Sequence, residues 1–307
     1  MLKERALTLS ALWVVLLSIF ISQTGCAAPT TPKTENLLAK VRVHPPSLTP
    51  TLTLTPLRSE TPQPSPTPKP TQTPITPDSG WSPVQVGLER REINLLDENG
   101  QPVERLYILR IDPQAYEFRV AYQEHPLSLA DWQALTQAAV LVNGGYFRVE
   151  GDQYIPTGLI IVEGEAIGSS YGDFAGMLAI TAAGPELRWI AQQPYDPGET
   201  LHSGLQSFPL LIKPGGEMGF PAEYEDYQYA RRTVIGLDWE GFILLMVAAR
   251  GSFSLHQLSR YLAESDLNLD IALNLDGGPS SGILLAEPYE IIPAFSLLPV
   301  VIAVFKR

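Results

Sequence analysis

Residues 81–307 of this sequence predict an α+β domain, with a mixed, mostly antiparallel β-sheet core and a few packed helices. Many short segments alternate apolar and polar residues and are separated by Gly, Pro, Asn and Asp. Two other segments have the spacing of amphipathic helices and begin near a capping residue. This length is sufficient for one large domain, and no internal repeat is apparent, so we expect a single domain.

The first 26 residues predict an export signal, since charged MLKER precedes the apolar run ALTLSALWVVLLSIFIS and the polar end QTGC. Cys26 is the only Cys in the chain and follows Gly25, the position at which bacterial lipoprotein signals carry the Cys that is lipidated. Gln23 stands where such signals usually have Leu. Lipidated Cys26, an uncleaved N-terminal helix and ordinary cleavage near Ala27 are the alternatives. The first two tether the protein to the membrane, and all three place it at the cell surface or in the periplasm.

Residues 27–80 predict a disordered tether. TPQPSPTPKPTQTPITP lacks a backbone donor at every Pro and has too few large apolar side chains to form a core. Seven of the 21 Lys and Arg residues and four of the 33 Asp and Glu residues lie in the first 80 positions, so residues 81–307 carry a net charge of −15. Such a surface repels nucleic acid, and an anionic substrate would need a local cluster of Arg.

The first half of the domain reads mainly as strand pairs. VERLYILRID and YEFRVAYQ alternate around DPQA, which predicts an antiparallel hairpin. DWQALTQAAVLV predicts a helix with Asp131 as N-cap, followed by a strand that ends at Asn143. PTGLIIVEGEAI predicts two short strands about a Glu-Gly turn, and GMLAIT and ELRWIA predict two more.

The second half predicts longer strands and a second helix. QSFPLLIKPGGE reads as a buried strand before a Gly-Gly turn, and YARRTVIGLDWEGFILLMVAAR as two strands about a turn. SFSLHQLSRYLAES predicts an amphipathic helix capped by Ser252 or Ser254. PAFSLLPVVIAVFK predicts a closing strand.

Two loops, NGGYF and NLDGGPSSG, have a parallel construction. In each, an apolar strand ends in Asn or Asn-x-Asp and passes into a Gly pair. Glycine pairs permit positive φ and present backbone N–H groups in a concave array, which suits phosphate or sugar oxygens. Asp-Gly is also a common hairpin turn, so either motif alone is open to that plainer interpretation.

The segment RRTVIG opens a strand with adjacent arginines in an acidic domain. Strand alternation predicts Arg231 and Thr233 on one face and Arg232 on the other. The rigid fork of a guanidinium matches phosphate bidentately. The alternative is that both arginines pair with the acidic segment EYEDYQ at the surface.

Together these motifs, in this order, resemble the phosphodiester glycosidase family over residues 85–307. The resemblance implies hydrolysis of the bond between an anomeric carbon and a phosphodiester oxygen, with release of the sugar, here on cell-envelope glycans. The chain has Pro279 where the family usually has a third Gly, and Arg231 where a Pro is common. The site implied by the resemblance comprises Asn143, Gly144, Gly145, Tyr146, Arg232, Thr233, Asn274, Asp276, Gly277, Gly278, Ser280 and Ser281.

Cleavage at the anomeric carbon passes through an oxocarbenium-like state that needs a carboxylate near the ring. We expect Asp276 to act as nucleophile or base, Arg232 to meet the developing phosphate charge, and Asn143 to orient the sugar and phosphate. Glu150, Asp152 or Asp173 would supply a second carboxylate. No cofactor is expected, and a divalent ion held by Asp276 and neighbouring carboxylates is the alternative.

Two other readings compete with a hydrolase. One is a non-catalytic glycan-binding or envelope-organising surface module with the same fold, for which Pro279 is the best argument. The other is a protein interaction domain whose turns only mimic the loops, which predicts that Asn143, Arg232 and Asp276 lie far apart. The sequence does not indicate the oligomeric state.

Overall fold

The structure is a computed structural model that describes residues 76–307. The predicted export signal, Cys26 and nearly all of the predicted tether lie outside the described residues. Within residues 76–307, neither of the two helices combines the length and the apolar composition that crossing a bilayer requires.

Two α-helices and twenty strands make up the described chain. The helices are α1 (Leu129–Thr136) and α2 (Leu255–Glu264). The strands, in chain order, are β1 (Ser82–Gln85), β2 (Leu88–Leu96), β3 (Pro102–Ile111), β4 (Tyr116–Leu127), β5 (Val140–Asn143), β6 (Phe147–Glu150), β7 (Gln153–Pro156), β8 (Ile160–Val162), β9 (Glu165–Ile167), β10 (Gly176–Thr181), β11 (Gly184–Trp189), β12 (Ser203–Ser207), β13 (Leu210–Lys213), β14 (Glu217–Met218), β15 (Ala230–Asp238), β16 (Ile243–Phe253), β17 (Leu269–Asn274), β18 (Ile283–Leu285), β19 (Glu290–Ile292) and β20 (Leu298–Lys306).

The strands form three larger sheets and one hairpin, and every strand pair among the described residues is antiparallel. One sheet has eight strands in the order β1-β2-β3-β16-β15-β17-β13-β14. Two sheets have five strands, in the orders β11-β10-β12-β8-β9 and β19-β18-β5-β20-β4, and β6 pairs with β7 alone. The mostly antiparallel β structure predicted from the sequence is therefore confirmed, and strands outweigh the two helices.

Both faces of the eight-stranded sheet are buried. Along β16, Leu245 packs into a core shared with the five-stranded sheets, whereas Met246 packs beneath Leu258 of α2. Successive strand residues point to opposite faces, which is why this strand is apolar throughout. On a five-stranded sheet, Trp132 of α1 packs into a separate cluster and donates its indole N–H to the carbonyl of Leu298 over 2.8 Å.

The helix caps agree with the sequence in one case and differ in the other. Ser254, one of the two predicted caps, is the N-cap of α2, and it also forms a reciprocal capping box with Gln257. The prediction of Asp131 as N-cap of α1 is wrong, because Ser128 is the N-cap and accepts a hydrogen bond from the main-chain N–H of Asp131 over 3.1 Å. Asp131 lies in the first turn, where its negative charge favours the helix N-terminus.

The predicted hairpin of β3 and β4 is also wrong. β3 pairs with β2 and β16, whereas β4 pairs with β20 in another sheet. A tight turn at Asp112, whose carbonyl accepts from the N–H groups of Ala115 and Tyr116, redirects the chain between sheets. The other strand pairs predicted from their turns, β8 with β9, β10 with β11 and β15 with β16, are present.

The predicted buried strand in QSFPLLIK is divided between two sheets. β12 lies in a five-stranded sheet and β13 in the eight-stranded sheet, with Phe208 and Pro209 between them. Pro209 has no N–H with which to continue the ladder of β12. Next to this crossing, β5 and β17, which belong to different sheets, end side by side at Asn143 and Asn274.

Candidate active site

Two hydrogen bonds to the main chain of Asp276, which follows the end of β17, join it to the end of β5. Its N–H donates to the carbonyl of Gly144 over 3.1 Å, and its carbonyl accepts from Nδ2 of Asn143 over 2.7 Å. The two Gly-containing loops, which are more than 120 residues apart in the sequence, therefore meet. This contact contradicts the reading in which the loops are unrelated hairpin turns.

Asn143 is buried, with 1% of its surface exposed, and its carboxamide is fully hydrogen-bonded. Its Oδ1 accepts from the hydroxyl of Thr233 over 2.8 Å and from the N–H of Gly282 over 3.0 Å. Its Nδ2 donates to Asp276 and, more weakly, to the carbonyl of Gly144. Asn143 and Thr233 thus position the Asp276 loop, and this geometry favours an indirect role for both over contact with a substrate.

Asn274 plays a similar part for Tyr146. Its buried Nδ2 donates to the phenol oxygen of Tyr146 over 2.7 Å and to the carbonyl of Phe208 over 2.9 Å. Because the phenol oxygen accepts this bond, its own hydrogen remains available to a ligand. Tyr146 is thereby fixed between the Asp276 loop and the Phe208 crossing.

Asp276 is the half-buried carboxylate of the site. Its Oδ1 accepts from the N–H of Gly277 over 2.9 Å. Burial raises the pKa of Asp276 above its usual value, and the Ser280 hydroxyl and the Gly277 N–H only partly oppose that effect. No neighbouring carboxylate contributes to the raised pKa, so burial is its cause.

Two phenols lie within the field of Asp276. Burial, and then the charge of Asp276, raise the pKa of Tyr146 to about 12. Burial chiefly, and Asp276 to a lesser degree, also raise the pKa of Tyr171, while its hydrogen bond with Thr157 opposes the shift. Both phenols are therefore neutral hydrogen-bond donors at neutral pH. Sequence reasoning missed Tyr171, because it lies in no recognisable motif and reaches the site only through folding.

Arg232 has 8% of its surface exposed, and within residues 76–307 it has no carboxylate partner. Its Nε donates to the carbonyl of Phe253 over 3.3 Å and its Nη2 donates to that of Gln228. A Cβ added at Gly277 would lie 3.8 Å from Nη1, so this nitrogen is beside the Asp276 loop. Burial lowers the pKa of Arg232, and the nearby acidic groups of Tyr146, Asp226 and Glu225 oppose that effect only in part.

Arg231 is buried on the other side of the strand, as alternation predicts. Its Nη2 donates to the carbonyl of Pro293 over 3.0 Å, and its guanidinium lies 4.4 Å from the ring centre of Phe295. Neither Arg231 nor Arg232 forms an ion pair with any residue of the described chain. The alternative in which both pair with EYEDYQ at the surface is therefore wrong.

Four glycines allow the loops to approach each other and divide their N–H groups between structure and site. A Cβ at Gly144 would lie 2.6 Å from Cγ1 of Val300, a distance that real side chains do not tolerate. The N–H groups of Gly144 and Gly277 are used by Val300 and Asp276. Within residues 76–307, the N–H groups of Gly145 and Gly278 donate no hydrogen bond, so both donors are free for a ligand.

Gly278 has a φ of +58°, and a Cβ added there would meet nothing within 4 Å. The backbone conformation therefore requires Gly, whereas the space above it is open. The next two polar residues differ in their contacts. The hydroxyl of Ser280 lies 3.1 Å from that of Ser296, whereas the hydroxyl of Ser281 is buried without a partner.

Buried side-chain polar atoms without a partner belong, within residues 76–307, to Ser207, Arg231, Asn274 and Ser281. Of these, Asn274 and Ser281 lie at the end of β17 and in the loop that contains Asp276. Native proteins rarely leave such groups unsatisfied without a functional reason.

The three residues predicted as a second carboxylate are all exposed to solvent. Glu150 pairs with Arg148 over 2.6 Å on the β6–β7 hairpin, Asp152 lies in the exposed turn of that hairpin, and Asp173 is also exposed. In residues 76–307, no group of three or more His, Cys, Asp and Glu side chains is arranged to hold a metal ion. Participation of a divalent ion stays a prediction for a chelator experiment.

Comparison with known families agrees with this geometry. The family model described as phosphodiester glycosidase matches residues 136–302, which include both Gly loops and the arginine pair. The chain belongs to the phosphodiester glycosidase family. The resemblance inferred from the sequence motifs is thus confirmed, and the catalytic and binding roles of individual residues stay predictions.

Solved structures share the fold of this phosphodiester glycosidase family member at low sequence identity. The catalytic domain of zebrafish N-acetylglucosamine-1-phosphodiester alpha-N-acetylglucosaminidase, auto-inhibited by its pro-peptide, superposes with a TM-score of 0.57 at 20% identity, covering 74% of this chain and 85% of that one. A hypothetical protein from Synechocystis superposes with a TM-score of 0.50 at 16% identity, covering 72% and 62%. None of the curated proteins compared with the chain matches its sequence significantly.

Proposed function

We propose that this protein hydrolyses a sugar-1-phosphodiester at the anomeric carbon, releasing the sugar and leaving a phosphomonoester. Membership of the phosphodiester glycosidase family supports the reaction class. The observation that carries the proposal is the buried guanidinium of Arg232, which has no ion-pair partner within residues 76–307 and lies beside the Asp276 loop. A buried positive charge is costly without a counter-charge, and the phosphate of the substrate would supply one.

The proposed reaction needs few protein groups. A water oxygen bonds to the anomeric carbon while the bond from that carbon to the phosphate oxygen breaks, and the departing phosphate keeps the electron pair. Asp276 takes the water proton, or attacks the carbon first as a nucleophile. Arg232 balances the charge that develops on the phosphate. Phosphate is a good leaving group, so a strong general acid is not required.

The remaining groups bind and orient the substrate. Neutral Tyr146 can donate a hydrogen bond to a sugar or phosphate oxygen close to Asp276, whereas the Tyr171 hydroxyl is held by Thr157, whose own hydrogen goes to the carbonyl of Tyr146. The N–H groups of Gly145 and Gly278 add donors of fixed direction, as suits an anionic ligand. Asn143 acts indirectly, by holding the main chain of Asp276.

We further propose that the enzyme works outside the cytoplasm on cell-envelope glycans. The predicted export signal, Cys26 and the Pro-rich tether support this location. The acidic surface of residues 81–307 is consistent with a substrate recognised locally at Arg232 and argues against nucleic acid.

Hydrolysis of the 4-nitrophenyl phosphodiester of N-acetylglucosamine in ¹⁸O-labelled water tests the proposal. We expect ¹⁸O in the released sugar and none in nitrophenyl phosphate, because the bond at the anomeric carbon is broken. Asp276→Asn should abolish sugar release. Label in the phosphate would show cleavage at phosphorus and overturn the mechanism. Thermal stabilisation by the diester without turnover would instead support the glycan-binding module.

A further inference from the structure

A cavity with a volume of about 580 Å³ adjoins the candidate active site. Tyr146 and Phe208 belong to both, because Tyr146 is near Asp276 and the carbonyl of Phe208 accepts from Asn274. The other aromatic side chains that line the cavity are Phe174, Trp189, Phe220 and Tyr224. We call this cavity the aromatic pocket.

The rings of the aromatic pocket are packed around Phe208. The ring centre of Phe208 lies 4.6 Å from that of Tyr146 and 5.4 Å from that of Phe174, which it meets edge to face. Phe174 and Tyr224 nevertheless leave 59% and 61% of their surfaces exposed. Large apolar side chains gathered at one exposed wall indicate a surface that another apolar group covers.

Charge at the aromatic pocket is confined to its edge. Lys213 has its ammonium 5.1 Å from the ring centre of Trp189 and forms no ion pair within the described chain. Asp173 is exposed, and its carbonyl accepts from the indole N–H of Trp189. Lys213 is thus a cation that lines the aromatic pocket and has no ion-pair partner in the described chain.

The composition of the walls decides between two kinds of occupant. A sugar ring carries several hydroxyls, and each would need a hydrogen-bond partner on leaving water. A sugar can stack a C–H face on an aromatic ring, but the charged side chains that line the pocket are only Lys213 and Asp173, so few partners are offered to its hydroxyls and the lining favours an apolar occupant. An alkyl or aryl group would lose only unfavourable contact with water.

We propose that the aromatic pocket binds an apolar group esterified to the phosphate of the substrate, so that the preferred substrate is a sugar phosphodiester with an alkyl or aryl aglycone. The catalytic part of this inference rests on the proposed function, whereas the binding preference does not. With the phosphate at Arg232, the aglycone extends past Tyr146 and over Phe208 between Phe174 and Tyr224. Lys213 adds attraction for the negative charge of the phosphodiester.

Calorimetric titration of the full chain with n-hexyl phosphate and with ethyl phosphate tests the binding preference. Both probes carry the same phosphate and are short enough to remain monomeric in solution. Each fully buried methylene improves affinity about fourfold, so four extra methylenes that are roughly half buried should make hexyl phosphate bind about 15-fold more tightly. Equal affinity would overturn the inference, as would displacement of hexyl phosphate by free N-acetylglucosamine.

The double variant Phe174→Ala and Tyr224→Ala should lose most of the preference for hexyl phosphate and keep the affinity for ethyl phosphate. Both side chains are largely exposed, so folding should be unaffected. Tyr289→Ala is the matched control, since Tyr289 is 63% exposed and lies outside the pocket. An unchanged preference in the double variant would place the apolar contact elsewhere and sink the proposal.

Turnover of the methyl and hexyl diesters of N-acetylglucosamine 1-phosphate separates this inference from the proposed function. We expect the hexyl diester to have the lower KM by a similar factor. Hydrolysis of both diesters with equal KM would refute the aglycone pocket and leave the hydrolase intact. Tight binding of hexyl phosphate with no hydrolysis of either diester would refute the hydrolase and leave the pocket as a binding site.

Discussion

The side chain of Asn143 holds the main chain of Asp276, with Nδ2 and the carbonyl oxygen 2.7 Å apart. Asp276 returns a bond through its N–H to the carbonyl of Gly144, over 3.1 Å. The candidate catalytic carboxylate is therefore fixed at its backbone by the end of a strand from another sheet. Its carboxylate can then remain half-exposed without losing its position.

Asn143→Ala should destabilise the fold and reduce turnover together. The substitution leaves three buried groups unpaired, on Asp276, Thr233 and Gly282, which should cost roughly 2–4 kcal/mol of the free energy of unfolding. Urea unfolding measures this loss. Asn94→Ala is the control, because Nδ2 of Asn94 also donates to a carbonyl, that of Thr76, but near the surface. Equal losses of unfolding free energy in the two variants would contradict the role of Asn143 in holding the main chain of Asp276.

Asp276→Asn should leave the protein as stable as the wild type, or more stable, at pH 7. Burial raises the pKa of Asp276 in the folded state above the ordinary value of 3.8, so the folded protein holds this proton more tightly than the unfolded chain. The charged carboxylate therefore lowers stability fully above the folded-state pKa. That penalty disappears as the pH falls below 3.8. The advantage of the variant should vanish over the same range, which urea unfolding at several pH values measures.

Asp238→Asn is the matched comparison for that experiment. Asp238 is also buried, but its Oδ2 accepts from Nε of Arg110 over 2.7 Å and its Oδ1 accepts from two main-chain N–H groups. Removal of its charge should cost about 1–3 kcal/mol at pH 7. If Asp276→Asn lost as much stability, Asp276 would have an ionic partner and its predicted role would be wrong.

Arg232→Met should remove phosphate binding without unfolding the protein. Burial of a guanidinium without an ion-pair partner already costs free energy, which offsets the loss of its two bonds to carbonyl groups, so stability should change by less than about 1 kcal/mol. Inorganic phosphate should raise the melting temperature of the wild type and not that of the variant. On the sugar phosphodiester, kcat/KM should fall about 10²–10³-fold.

Arg148→Met provides the control for the phosphate experiment. Arg148 is paired with Glu150 on an exposed hairpin, so its removal should leave both phosphate stabilisation and turnover unchanged. Phosphate stabilisation that survives in Arg232→Met would place the anion elsewhere.

Pro279→Gly tests whether the departure from the family pattern has a catalytic effect. Pro279 is exposed, and its carbonyl accepts from the N–H groups of Phe295 and Ser296, contacts that Gly can retain. Gly gives the unfolded chain more conformational freedom than Pro, which should lower the free energy of unfolding by about 1 kcal/mol. We expect kcat/KM to change by less than about threefold, since Pro279 is exposed and the hydrogen bonds of its carbonyl go to Phe295 and Ser296 rather than to Asp276 or Arg232. A rise of two orders of magnitude would show that Pro279 had suppressed catalysis.

The sequence predicted local structure well where a short signal determines it. Turn residues located the β8–β9 and β15–β16 pairs, and the choice of Ser252 or Ser254 as cap located the start of α2 to within two residues. The same kind of signal was wrong for β3 and β4, because a turn reverses the chain without choosing the partner strand. The partner of β4, β20, lies almost 200 residues further along the chain.

The candidate site was predictable in its motifs and not in its contacts. The Gly loops and the arginine pair could be read from the sequence, and the structure brings them together. Whether a polar side chain faces the substrate or supports a neighbour depends on packing. Hence the structure makes Asn143 and Thr233 part of the support, and adds Tyr171, which carries no local signature.

Phe208 lies where the chain passes from one sheet to another, and its carbonyl and its ring have separate structural roles. Its carbonyl sets the direction of Asn274 and thereby of the Tyr146 hydroxyl, while its ring is the floor of the aromatic pocket. If the aromatic pocket binds the aglycone as proposed, selectivity for the leaving group and alignment of the reacting groups both depend on Phe208. The range of accepted diesters can be retuned at the rim, through Phe174 or Tyr224, whereas a change at Phe208 would alter both properties at once.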